Sequence, residues 1–264
     1  MQRGAFAAPT LHAELEALAD KRDRSLATEL TYGTIRWQLW LDGALLPHLK
    51  APDRLPERVL AALQIGAFEI LIKGAPRFAV VNEWVGIIKK REPRLSGLVN
   101  AVLRKVSGPA DPDPAERHSL PGWLWDEFQT SLGAGSAERA AAGMLEPEPL
   151  WLAALQPQAA EILRIEDNEV WDGPVKGSLG SRLSIALGEL ESFIAGLVQP
   201  MNPSSLLAAR LLGAGSGDRV LDLASGNGIK AAVLAAMGAE VTSVEIDRDK
   251  QVRAMRNQKR FRSA

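Results

Sequence analysis

The sequence predicts a multidomain chain: an all-α helical bundle, then a small α+β connecting subdomain, then the start of an α/β Rossmann-like domain. Three observations predict it. Apolar residues recur at helical spacing from residue 9 to 106, the pattern changes to short strand-like runs between 150 and 200, and strand and helix signals alternate from 219 to 260.

Helices are expected at Leu11 to Leu18, at Arg24 to Leu39 with an interruption near Gly33, and at Glu57 to Lys73. Pro47, Pro52 and Pro56 punctuate one connection, and Gly74 with Pro76 another. Val81, Trp84, Val85 and Ile88 form the apolar stripe of the next helix. In the helix after it, Leu95, Leu98, Val99, Val102, Leu103 and Val106 follow the spacing i, i+3, i+4, i+7, i+8, i+11. These stripes are complete by residue 106, which sets a first domain at 1–106 able to fold alone. Residues 107–149 read as a proline-rich linker (107–117) and short helices, one of them from His118 to Leu132. The connecting subdomain, 150–200, has strand-like runs at Leu150 to Leu155 and Arg182 to Leu187, with a helix at Gln158 to Arg164 between them. The last region, 201–264, opens with a helix at Pro203 to Leu212 and a turn at Gly213 to Asp218. It then reads strand 219–224, helix 228–237, strand 240–246 and helix 248–260, and Val220, Leu221 and Leu223 suit a parallel strand covered on both faces.

No run of 18 apolar residues exists and no basic flank precedes an apolar leader, so a cytoplasmic monomer with no membrane partner is expected. The chain has no cysteine, which excludes disulfides, thiolate metal sites and cysteine nucleophiles within these 264 residues. His12, His48 and His118 lack ligand spacing and read as surface or capping residues, so no metal site is expected. The net charge of −1 hides an asymmetry: residues 1–108 hold 16 basic and 11 acidic residues, 109–200 hold 5 and 15, and 201–264 hold 10 and 6. The two basic parts suit a polyanion partner, although on charge alone solvated helix faces are the plainer reading.

Val220-Leu-Asp-Leu-Ala-Ser-Gly-Asn-Gly-Ile-Lys230 reads as a buried strand, a glycine turn and a helix start, and Glu240 to Asp247 as a second strand ending in acids. Gly226 and Gly228 let the backbone turn tightly against a ligand at a helix N-terminus. Two cofactor readings stand on these residues. Asp222-x-Ala224-x-Gly226-x-Gly228 resembles the first motif of class I S-adenosyl-L-methionine methyltransferases, with Glu245 placed to accept ribose hydroxyls. Gly226-Asn-Gly-Ile-Lys-Ala231, with Glu245 following 19 residues after Gly226, also satisfies a dinucleotide pattern. The candidate cofactor residues are Asp222, Ala224, Ser225, Gly226, Asn227, Gly228, Ile229, Lys230 and Glu245, while Asp247 reads as a solvated acid.

Lys89, Lys90, Arg91, Arg94, Arg104 and Lys105 lie near the ends of two core helices, where they complement helix dipoles or contact RNA. Trp37, Trp40, Trp84, Trp123, Trp125, Trp151 and Trp171 offer base-stacking faces, but core packing suits most of them, Trp84 above all. Asn82 and Asn100 read as structural residues hydrogen-bonded to loop backbone, without a catalytic role.

Four blocks stand in order: Arg24-Ser-Leu-Ala-Thr-Glu-Leu-Thr-Tyr-Gly-Thr-Ile-Arg-Trp37, Leu63-Gln-Ile-Gly-Ala-Phe-Glu-Ile-Leu71, Ala79-Val-Val-Asn-Glu83 and Gly97-Leu-Val-Asn-Ala-Val-Leu-Arg104. They resemble the NusB-like RNA-binding domain fused to bacterial RsmB/Sun (Fmu) family ribosomal RNA cytosine-5 methyltransferases. Leu120-Pro-Gly-Trp-Leu124, Val198-Gln-Pro-Met-Asn-Pro-Ser-Ser205 and the glycine turn fall where that family has counterparts, so the resemblance spans essentially the whole chain. It implies S-adenosyl-L-methionine as cofactor, small-subunit ribosomal RNA as partner, and methylation of cytosine C5. In that family one cysteine attacks cytosine C6 and a second assists product release, both in motifs beyond the part matched here. The expectation is therefore an inactive N-terminal portion with no catalytic residue of its own; the alternative is a non-catalytic NusB-like RNA-binding module. The loop departs from the family's Cys-Ala-Ala-Pro-Gly-Gly-Lys. Asp222, Gly228 and Lys230 match, but Ile229 stands at the second family glycine.

Overall fold

The structure is a computed structural model that describes residues 6–167, 169–183 and 185–262. The chain forms two compact units, Met1–Pro147 and Glu148–Ala264. Among the described residues no helix is long and apolar enough to cross a membrane.

The first unit is all helical: α1 (Ala7–Leu15), α2 (Lys21–Arg36), α3 (Gln38–Leu45), α4 (Glu57–Leu71), α5 (Arg77–Arg91), α6 (Ser96–Lys105), α7 (Pro114–Arg117), α8 (Gly122–Leu132) and α9 (Ala134–Leu145). Its core is built where the stripes of α3 to α6 meet, and Leu41, Leu45, Val59, Leu63, Val99 and Leu103 are sealed from solvent. Each such side chain contributes about 1.5–3 kcal/mol by leaving water. Asp20 starts α2 by accepting the Arg22 N–H at 2.7 Å, capping an amide that the helix cannot satisfy internally.

The interruption expected near Gly33 is absent. The helix runs through Gly33 to Arg36 and ends at Trp37, which leads directly into α3. Gly33 serves packing instead: a Cβ there would lie 2.2 Å from Cζ of Phe68 on α4. Residues 107–149, expected as linker and short helices, hold α7, α8 and α9, and all but the last two belong to the first unit, which ends at Pro147. His118, expected at the surface, is buried, with Nε2 2.9 Å from Glu138 Oε1 and its ring stacked on Trp125. Trp84 packs against the main core and donates its indole N–H to Glu69 Oε2 at 2.6 Å, whereas Trp123 is exposed.

The second unit opens on a four-stranded antiparallel sheet, order β2-β3-β1-β4, made of β1 (Leu150–Ala154), β2 (Val170–Asp172), β3 (Ser178–Ser181) and β4 (Val198–Pro200). Two helices, α10 (Ala159–Glu166) and α11 (Glu191–Ile194), accompany it, and Leu152, Leu163, Leu179, Leu190 and Val198 form its core. The strand expected at Arg182 to Leu187 lies earlier, at β3; of the expected span, Ser184 is outside the described residues. Ser-Leu-Gly-Ser is poor strand sequence, and packing overrides propensity. The missing side chain of Gly180 makes room for the Trp171 ring from β2, since a Cβ there would lie 2.5 Å from that indole.

The unit continues through α12 (Pro203–Leu211), β5 (Arg219–Leu223), α13 (Ile229–Ala236), β6 (Glu240–Val244) and α14 (Arg248–Arg262). Asn202 caps α12 by accepting the Ser204 N–H at 2.9 Å. β5 and β6 are parallel, with Val220 opposite Val241 and Leu223 opposite Val244. Val220 and Val241 pack on Leu206, Ala209, Val233 and Leu234. The other face is open, contrary to the expectation of two covered faces: Leu221 is 59% and Leu223 66% exposed.

Candidate cofactor loop and basic surfaces

The parallel register brings the ends of β5 and β6 side by side, and the chain extends that pairing by one bond, Ser225 N–H to Val244 O at 3.0 Å. It then turns back through three left-handed residues, Ala224 (φ 56°), Gly226 (φ 58°) and Gly228 (φ 73°), before entering α13. Only glycine takes that conformation without steric cost, so Ala224 is strained.

Glu245, the first residue past β6, closes the turn. Its Oε2 accepts the Gly226 N–H at 2.7 Å and its Oε1 accepts the Asp247 N–H at 2.9 Å. The Asp247 amide, and after it the Gly226 amide, hold the Glu245 carboxyl below its ordinary value by stabilising the anion. Asp247 is not merely a solvated acid. Its Oδ1 accepts the N–H groups of Lys250 (3.1 Å) and Asp249 (2.9 Å), capping α14, and these bonds, that of Lys250 foremost, depress its own pKa.

The nine candidate residues separate by direction. Asn227 turns inward: its Oδ1 accepts from Arg253 Nε at 3.0 Å and its carbonyl from Asn257 Nδ2 at 2.9 Å, both on α14. A Cβ on Gly228 would meet Ala254 of α14 at 3.4 Å, whereas one on Gly226 would meet nothing within 4 Å. The open backbone face is thus that of Gly226. Ile229, at the second family glycine, packs into the core beside Val220 and Val241. Lys230 is exposed in the first turn of α13. Asp222 lies within β5, and its Oδ2 is sealed from solvent without a hydrogen-bond donor.

A cavity of about 790 Å³ touches Ser225, Gly228 and Glu245, but its other walls, Ala231, Ala235, Val241, Ala254 and Met255 among them, belong to the helical side of the sheet. It opens because alanines of α13 face Ala254 of α14, and it does not gather the nine residues into one chamber. What converges at the strand ends is an open backbone face and an anionic carboxylate with lone pairs to spare. That set fits a ligand rich in hydroxyl or ammonium donors. The contribution of α14, through Arg253, Asn257 and the Gln251 side chain that donates to the Glu245 carbonyl, escaped the sequence reading. Its only signal there was the basic excess of the last segment.

The six basic candidates of the first unit are exposed, and they form two groups. Lys89, Lys90 and Arg91 end α5, with Arg94 in the turn after it, while Arg104 and Lys105 end α6. Arg77, at the start of α5, donates to the Leu103 carbonyl at 2.7 Å, so the end of α6 lies beside the start of α5. The groups are therefore separated by about 20 Å, the rise of the intervening α5 turns. Arg104 is held by Asn100, whose Oδ1 accepts its Nε at 2.9 Å, so Asn100 serves its own helix and not loop backbone.

Residues 2–108 match the NusB family. Ribosomal RNA small subunit methyltransferase B of Thermus thermophilus is 40% identical over 241 residues, which cover 91% of this chain and 56% of that protein. The probable ribosomal RNA small subunit methyltransferase B of Bacillus subtilis is 29% identical over 249 residues, 87% of this chain and 56% of its own length. The chain thus spans just over half the length of these curated relatives. The crystal structure of PH0851 superposes with a TM-score of 0.69 at 19% identity, covering 96% of this chain and 63% of that one, and shows a shared fold.

Proposed function

We propose, since this chain carries a NusB-family domain at residues 2–108 and is homologous to the RsmB family over nearly all its length, that it forms the RNA-recognising and cofactor-loop portion of a methyltransferase. The reaction in this reading is S-adenosyl-L-methionine-dependent methylation of cytosine C5 in small-subunit ribosomal RNA. The observation that carries the cofactor part is the clasp of Glu245 on the Gly226 turn at the ends of two parallel strands. Glu245 offers its remaining lone pairs to ribose hydroxyls, and the Gly226 backbone face admits the ligand closely. The bound cofactor supplies an electrophilic methyl group. The thiolate that would activate cytosine by attack at C6 has no source among these residues, which include no cysteine. That same absence supports the second reading, a non-catalytic NusB-like RNA-binding module.

Isothermal titration calorimetry of the purified chain with S-adenosylhomocysteine and with NAD tests the site. The reading expects S-adenosylhomocysteine to bind and the Glu245→Ala substitution to weaken it. Preference for NAD, or indifference to the substitution, removes the methyltransferase assignment.

A further inference from the structure

Helix α14 carries seven basic residues and one acid, Asp249. Local stability does not explain that composition. Arg248 and Lys250 stand at the positive end of the helix dipole, where cations are disfavoured. Arg256 has Arg253, Lys259 and Arg260 at three- and four-residue spacing, where like charges repel. Two of these cations are accounted for by packing. The Arg260 guanidinium is half-buried, donates to the carbonyls of Phe193 (2.7 Å) and Val198 (3.1 Å) and to the Gln199 side chain, and lies 4.0 Å above the Phe193 ring. Arg253 is bound to Asn227 of the glycine turn.

Three of the others face outward. Gln251, Ala254, Asn257, Arg260 and Phe261 form the half-buried side of α14, and Arg248, Arg256 and Lys259 fall on the exposed side, within about 80° of arc at 3.6 residues per turn. Arg248 and Arg256 make no hydrogen bond or ion pair with the described residues. The cationic stripe is therefore presented by a helix whose inner side is already engaged, and that helix also holds the turn read as the cofactor site.

We infer that the outer face of α14, centred on Arg248 and Arg256, binds the phosphate backbone of single-stranded RNA and holds the strand next to the Gly226 turn. Charge complementarity names the occupant: Arg248 and Arg256, exposed and without a partner among the described residues, match a polyanion. A membrane surface fits less well, because the half-buried side of the helix faces the protein and is not free to enter lipid. The inference rests on the RNA part of the proposed function and extends it to a surface outside the NusB-family domain.

The test measures fluorescence anisotropy of a labelled, mixed-sequence single-stranded RNA across a salt series, with the full chain and its R248Q/R256Q variant. The variant K176Q/R182Q, which removes two exposed cations from the connecting subdomain, controls for net charge. R248Q/R256Q should weaken binding roughly three- to tenfold at low salt and reduce the salt slope by about 1.4, two phosphate contacts at roughly 0.7 each. Its melting temperature should not fall, since like-charge repulsion is relieved, which separates lost contacts from lost fold. Binding and slope equal to wild type, or a loss shared by the control, overturns the inference and leaves the proposed function standing. Loss of binding to phosphatidylserine vesicles without loss of RNA binding overturns it in favour of a membrane. A wild-type chain that binds no RNA defeats both the inference and the RNA part of the proposed function.

Discussion

Glu245 and Gly226 are joined across the ends of two parallel strands by one short hydrogen bond, Gly226 N–H to Glu245 Oε2 at 2.7 Å. The bond makes the glycine turn conditional on a carboxylate 19 residues downstream, so the residue that would read the ligand also shapes the loop that cradles it. Because the amides of Asp247 and Gly226 lower the Glu245 pKa in the folded chain, the sign of its pH dependence follows. A depressed folded pKa contributes stability above the ordinary glutamate value of 4.5 and loses it as pH falls through the lowered folded value. Amide hydrogen exchange at Gly226, taken relative to the intrinsic rate at each pH, should be slow at neutral pH and quicken in acid. Glu245→Gln should make it fast at all pH values and weaken S-adenosylhomocysteine on the order of tenfold. Exchange that ignores both pH and substitution would show that the clasp does not order the turn.

The two glycines of the turn should answer differently to a side chain. A Cβ on Gly226 enters open space, so Gly226→Val costs the melting transition mainly the left-handed backbone penalty, about 1–2 kcal/mol, while obstructing ligand approach. Gly228→Val carries the same penalty and also presses on Ala254, loosening α14 from the loop. Thermal denaturation should therefore rank Gly228→Val as the less stable variant, and calorimetry should find S-adenosylhomocysteine binding lost in both. The opposite stability order would mean that α14 does not brace the turn.

Residues at helical spacing were the readable part of this fold. The stripes through Val81 to Ile88 and Leu95 to Val106 became α5 and α6 because one period both defines the helix and aims it at the core. The strand, glycine turn and helix from Val220 to Ala236 were readable for the same local reason. What stayed hidden depended on partners distant in sequence. β3 is a strand because β1 and the Trp171 ring receive it, not because Ser178 to Ser181 favours extension. α9 forms in spite of Gly135 and Gly143, whose helix propensity is poor. The exposure of Leu221 and Leu223 depends on what covers the sheet, which strand composition cannot report. At the site, spacing identified Glu245 and the turn, but the direction of Gly226 against Gly228 was decided by α14.

Ser119 caps a helix 80 residues before it. α3 begins at Trp37 with no side-chain cap of its own, and the Ser119 hydroxyl accepts the Leu39 N–H at 3.0 Å. Ser119 holds a left-handed φ of 53°. Nearby, Gly108 abuts Trp40 and Glu116 abuts Gly43. A segment of residues 1–106 contains the main buried cluster entire and should fold as a cooperative helical bundle. A segment of residues 1–147 should be more stable, with Ser119→Ala removing about 1 kcal/mol of the difference. Chemical denaturation monitored by circular dichroism measures all three. Equal stability of the two segments would show that the region after 106 adds nothing to the bundle, and a molten shorter segment would show that the core depends on it.

The chemistry of the proposed reaction sets the last prediction. Cytosine C5 becomes nucleophilic once C6 carries an added nucleophile, and at neutral pH a thiolate is the side chain suited to that addition. The hydroxyl in the cofactor loop, Ser225, is a far weaker nucleophile than a thiolate at neutral pH. With no cysteine in 264 residues, the purified chain should transfer no labelled methyl group from S-adenosylmethionine to small-subunit ribosomal RNA above background. The full-length Thermus thermophilus relative, run in the same assay, reports whether the RNA and conditions permit methylation. Binding of S-adenosylhomocysteine and of RNA by the same preparation separates a missing nucleophile from a collapsed fold. Methyl incorporation by this chain, with cytosine C5 as the modified atom, would mean that another side chain performs the addition and that the assigned chemistry is wrong.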